Sequence, residues 1–174
     1  MAQTPSPVKT RRIVVALDAS APGKTALEAA AGLAARLEAE LLAVFVEDLD
    51  LLHLAGLPFA CEIGYPSAIR RELDVSAMER TLRLLADEAR RSVALVAERV
   101  PLKWTFEVAR GSLTEPLLAS AAEAELIIGA LSGSERAALQ LATLCSESGS
   151  ASLLWARTGS ELDALLRELR RRAT

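Results

Sequence analysis

Two carboxylate-bearing strand ends and one Gly-Lys-Thr triplet are the places where this chain could handle a phosphate. Pro22-Gly23-Lys24-Thr25 follows a first apolar run, Ile13 to Leu17, and Glu47-Asp48 follows a second, Glu40 to Val46. In a phosphate-binding loop of the Gly-x-x-x-x-Gly-Lys-Thr type, backbone amides wrap the phosphates and a carboxylate after a later strand serves magnesium. The place five residues before Gly23 belongs to glycine in such a loop, and here it is Asp18. A carboxylate there repels phosphate instead of wrapping it, so the triplet is read as the start of a helix and Lys24 as an exposed lysine on it. Asp18 keeps its interest because ligands of open parallel sheets bind outside the carboxyl ends of the strands. The plainer reading is a turn former that bonds its own following amides.

No other group builds a reaction centre. His53 is the only histidine and has no acid, Ser or Cys placed beside it by the sequence. Cys61 and Cys145 are far apart and form no Cys-x-x-Cys pair, so they read as small buried hydrophobes of a reduced protein. No paired-carboxylate, metal-ligand or nucleophile-base arrangement stands out, and the chain is expected not to be an enzyme. Its net charge of -3 and pI near 5.3 disfavour a nucleic-acid partner, which needs a basic face. No apolar run reaches the roughly 18 to 20 residues that span a bilayer. With no secretory signal in view, a cytoplasmic protein without a membrane partner is expected.

The elements that would position Asp18 follow from periodicity. Ile13 to Leu17 is continuous and mostly β-branched, as in a strand covered on both faces, and Leu27, Ala30, Ala31 and Ala34 then recur at helical spacing. Glu40 to Val46 is a second buried strand. Residues 49–73 form a connection far longer than the usual two to six residues, yet too rich in Leu, Ile and aromatic groups for disorder. They are expected to fold back over the carboxyl end of the sheet or to meet a partner subunit. Ser76-x-x-Glu79 has capping-box spacing before a long helix that stops ahead of Pro101. Lys103 to Val108 alternates strictly, the mark of an edge strand with one wet face. A helix opened by Gly111 to Pro116, a short strand at Leu126 to Ile128, a helix capped at Ser132 to Glu135, a strand at Ala151 to Trp155 and a final helix striped by Leu162, Leu165, Leu166 and Leu169 complete the pattern. Strands alternating with helices predict one α/β domain, an open five-stranded, mostly parallel sheet flanked by helices. Residues 1–9 read as a disordered lead-in, 10–158 as the domain and 159–174 as a C-terminal amphipathic helix.

Val-Ala-Leu-Asp18-Ala-Ser20, the helix through Ala26-Leu27-Glu28-Ala-Ala30, Ala39-Glu40-Leu with Val46 closing strand two, Arg110-Gly111, and Ala124-Glu125-Leu-Ile-Ile-Gly129 together resemble the universal stress protein family. The resemblance spans roughly residues 11 to 157 and leaves out the insert and the last helix. It implies a Rossmann-like, adenine-nucleotide-binding domain, commonly a homodimer paired through its last strand, here Leu153-Leu154-Trp155. It implies an adenosine held by Asp18 and Val46. The phosphate motif it implies is Gly-x-x-Gly, nine residues, then Gly with Ser or Thr. This chain keeps Gly129 and Thr143 but has Ser132 and Ala142 at the second and third glycines, with Gly133 one place late. A Cβ at such positions obstructs positive φ and the close approach of backbone to phosphate. The expectation is a stress-response binding protein with a degenerate site for ATP or another adenine nucleotide. An ATP-binding member with slow or no hydrolysis and an interaction module acting through the insert and last helix are the alternatives.

Overall fold

The computed structural model describes residues 11–17, 21–72, 74–111, 119, 124–129, 142–143, 152–155, 160–161, 164–165 and 167. Among the described residues the elements run in the order β1 (Arg12–Leu17), α1 (Ala21–Arg36), β2 (Glu40–Asp48), α2 (Leu49–Ala55), β3 (Cys61–Gly64), β4 (Ile69–Glu72), α3 (Val75–Ala97), β5 (Trp104–Gly111), β6 (Leu126–Gly129) and β7 (Ser152–Trp155). Five of the strands form one sheet in the order β5-β2-β1-β6-β7, and every neighbouring pair in it is parallel. This is the open parallel sheet that the alternation of strands and helices predicts.

β1 is central because it can be: Ile13 to Leu17 are all buried, as a strand flanked by two others and covered on both faces requires. Its odd-numbered residues join Leu41, Ala43, Phe45 and Ile128 in a core beneath α1 and α3, while Val14 and Ala16 join Leu42, Val44 and Ile127 on the opposite face. Ala26, Ala30, Ala31 and Ala34 turn one face of α1 into a smooth surface, fully buried, that lets the helix lie close on the sheet. The chain leaves α1 through Glu38 at φ 53°, with the Ala39 amide donating to the Ala34 carbonyl at 2.9 Å. That left-handed step turns the backbone straight into β2. β5 lies at one end of the sheet, and its Thr105 and Glu107 are exposed while Trp104 and Phe106 are half-buried, as alternation predicts for an edge strand; Val108 departs from the pattern at 46% exposed.

Three local readings change. Pro22 and Gly23 lie inside the first turn of α1 and not in a turn before it, since a helix tolerates proline where its amide would be unpaired. The cap of α3 is Asp74, whose carboxylate accepts from the Ser76 amide at 2.9 Å; Ser76 is already helical, so the Ser76-x-x-Glu79 spacing is not the cap. The insert is regular. Leu49 to Ala55 coil into α2, which packs on α3 and β5, and β3 and β4 form an antiparallel hairpin separate from the main sheet. The lead-in at residues 1–9 and most of the helices expected after β5, after β6 and at the C-terminus lie outside the described residues. Of the last helix, Leu165 packs against the α1 face of the core.

Candidate functional site

The carboxyl ends of β1, β2 and β6 meet where an open parallel sheet offers a ligand its site. Leu17 pairs with Phe45, and the next residue of β2 is Val46, half-buried on the sheet face away from α1 beside Val44 and Ala109. Gly129 closes β6, buried, in register with Ala16 on one side and Trp155 on the other. The sheet therefore brings Val46 and Gly129 to the two flanks of the β1 end. Asp18, Ser132 and Gly133 lie outside the described residues. Ala142 and Thr143 are helical and exposed.

Glu47 is the residue whose role sequence reasoning did not find. β2 runs two residues past Val46, and the Glu47 side chain, only 5% exposed, accepts a hydrogen bond from Arg110 Nε at 2.8 Å. The two residues are register partners at the ends of β2 and β5. They share the α1 face, so Glu47 is turned away from Val46 and does not stand as a free magnesium ligand beside it. A buried carboxylate needs such a partner, because without it the group loses hydration and gains nothing. The signal was present in the sequence: Val-Glu-Asp and Ala-Arg-Gly close two strands that the fold places side by side.

Lys24 is exposed on α1. Its Nζ lies 3.7 Å from Glu88 Oε1, bridging α1 to α3. The recess beneath, lined by Leu17, Gly23, Leu27, Leu85 and Ala89, holds only about 20 Å³, room for one water. His53 is exposed near the end of α2, and Cys61 is a half-buried free thiol in β3. Among the described residues no group of three His, Cys, Asp or Glu is placed to hold a metal, and no helix is long and apolar enough to cross a membrane.

β7 forms the other end of the sheet. Leu154 is 8% exposed within the single chain and belongs to the core under α1, while Leu153 is half-buried on the opposite face. The Leu154 side chain is therefore spent inside the fold, and what β7 can offer a second copy is its backbone edge and the Leu153 side. The Trp155 side chain lies outside the described residues.

No protein-family model matches the sequence, and no curated protein matches it significantly. Solved structures do match. A universal stress family protein from Burkholderia pseudomallei is 24% identical, with 87% of this chain and 98% of that one covered at a TM-score of 0.54. A universal stress protein solved in complex with cAMP is 13% identical, covering 84% and 96% at 0.50. One from Arabidopsis thaliana with AMP bound is 8% identical, covering 84% and 92% at 0.51. The resemblance read from Asp18, Val46 and Gly129 thus extends to the fold: this chain is built as universal stress proteins are built.

Proposed function

We propose that this protein is a universal-stress-type regulatory binding protein of the cytoplasm, whose adenine-nucleotide site is degenerate in its phosphate-binding part. The observation that carries the reading is the convergence of Val46 and Gly129 on the end of β1, directly before Asp18, in a fold shared with structures holding AMP and cAMP. An adenosine would lie against Val46 with Asp18 as its polar anchor. Ser132 and Ala142 put Cβ atoms where the phosphate motif has glycine. The protein then acts by binding, without turnover, and pairs with a second copy through the backbone edge of β7.

Calorimetric titration with ATP tests this. Weak binding is expected, and Ser132→Gly with Ala142→Gly should strengthen it about tenfold or more, on the order of 1 kcal/mol or so per clash removed. Low-micromolar ATP binding by the wild type, unchanged by the double substitution, would show an intact site and favour the ATP-binding alternative. Sedimentation velocity tests the pairing: a monomer at tens of micromolar contradicts it.

A further inference from the structure

α3 has one face on the core and the other in water. Leu82, Ala86 and Val93 are buried, while Arg80, Leu84, Asp87, Arg91 and Leu95, followed by the C-cap residue Glu98, run along the opposite side and are all exposed. Steps of three and four residues keep these six on one stripe, about 27 Å long at 1.5 Å per residue. Leu84 is 65% exposed and Leu95 57%. None of the four charged residues forms an ion pair among the described residues; Arg91 Nε donates instead to the Asp87 backbone carbonyl at 3.2 Å.

The order of these groups selects a second copy of the same helix. Two α3 helices laid antiparallel about a two-fold axis at the level of Ala89 oppose residues that lie equally far on either side of it. Arg80 then meets Glu98, Asp87 meets Arg91 and Leu84 meets Leu95, each pairing occurring twice. The four charged residues lie to one side of the two leucines on the helical wheel, as the axis requires, because it brings like flanks together. Sliding one helix by a turn either way sets Arg91 on Arg91 or Asp87 on Asp87, and a parallel pair in register sets like charge on like throughout; these arrangements repel. Glu88 meets its own copy beside the axis, with Lys24 standing 3.7 Å from it as a countercharge. Exposed ion pairs add little strength, so the leucine contacts supply the attraction while the charges fix register and direction. A nucleic acid or an anionic bilayer would meet as many acids as bases along the stripe and gain nothing from it. We propose that the outer face of α3 is a self-docking surface through which two copies of this chain pair antiparallel. The contact does not rest on the nucleotide reading or on the β7 edge. α3 packs on β2 and β5, and β7 is at the opposite end of the sheet, so the two pairings use different residues.

Sedimentation velocity of the full chain over a concentration series, combined with charge reversals, tests it. Wild type is expected to show an association step with a Kd of roughly 100 μM or tighter, as suits a small interface. Asp87→Arg and Arg91→Asp should each weaken that step about tenfold or more, because each sets like charges opposite one another on both sides of the axis. An equal mixture of the two variants should regain the step, since one helix then carries bases at both positions and the other acids. The chain with both changes should regain it as well. Leu84→Ala with Leu95→Ala should weaken it about tenfold through lost apolar contact. Recovery on mixing also excludes misfolding as the reason that either reversal fails to associate. Single reversals that leave every association step unchanged overturn the proposal and leave pairing to β7. A mixture that associates no better than its components overturns it too, as does wild type without a step sensitive to these residues by about 1 mM.

Discussion

The central strands and the insert hairpin are both rich in apolar residues, and they use them in opposite ways. In β1 and β2 the apolar runs Ile13 to Leu17 and Leu41 to Phe45 are continuous and each residue is buried on one of two covered faces; in β3 and β4 the run is broken by Glu62, Arg70 and Arg71, and Ile63 and Ile69 stand in water. Apolar content alone therefore says that a segment has something to bury, while pattern and neighbours decide whether the chain supplies the cover. A two-stranded hairpin has only its own residues to pack on, and such units are marginal in water.

Substitutions can break or sharpen this contrast. The largest expected effect is in the body: Leu27→Ala empties a fully buried site under the sheet and should cost about 2 to 4 kcal/mol in urea unfolding. Ile63→Ala should stay within about 0.5 kcal/mol in the same assay, since the side chain is mostly hydrated already. Equal costs at the two sites would mean that the hairpin is packed in solution, and the contrast fails. Next comes the strand-end pair. Arg110→Ala strands a buried carboxylate and should cost about 1 to 3 kcal/mol, with Glu47→Gln milder because the amide oxygen still accepts. A smaller loss cost by Arg110→Ala than by Glu47→Gln would contradict the pairing.

At the junction between insert and body, Asp74→Ala should cost about 1 kcal/mol through the lost cap of α3, and Ser76→Ala almost nothing. The reverse ranking would restore the capping box at Ser76. The smallest effect expected is a gain. Glu38→Gly, at φ 53°, should stabilise by about 0.5 to 1 kcal/mol, because glycine adopts the left-handed step without a Cβ conflict. A loss of stability there would show that the Glu38 side chain contributes more than its backbone costs.

The sheet was legible because its strands, including β6 and β7 at four residues each, are continuous apolar runs set between stretches of helical period in the sequence, and periodicity reports burial wherever one chain supplies both faces. β5 was legible as an edge for the same reason, by alternation. The hairpin was not, because four-residue strands with mixed faces carry no period, and its turn at Gly64 to Ala68 resembles any other polar break. Glu47 with Arg110 escaped because register between strands 63 residues apart is a property of the fold. The apolar run put the end of the second strand at Val46, and β2 continues to Asp48; only the family pattern singled out Val46 for a site, since nothing in its own neighbourhood separates it from Val44.

The place of β1 has a consequence for how the molecule is made. It precedes the other strands of the sheet, yet one of its two neighbours, β6, follows only after β2 and β5, with Ile13 paired to Leu126. Closing so long a loop delays the contact, and a parallel pair adds no local turn to hasten it. During translation β1, α1, β2 and β5 can assemble, but the β1 edge stays open until residues 126–129 arrive, and a nascent chain with an open apolar edge needs chaperone shelter. A fragment ending at Gly111 is accordingly expected to aggregate or bind chaperone, and a soluble, protease-resistant fragment would show that three of the five strands stand alone.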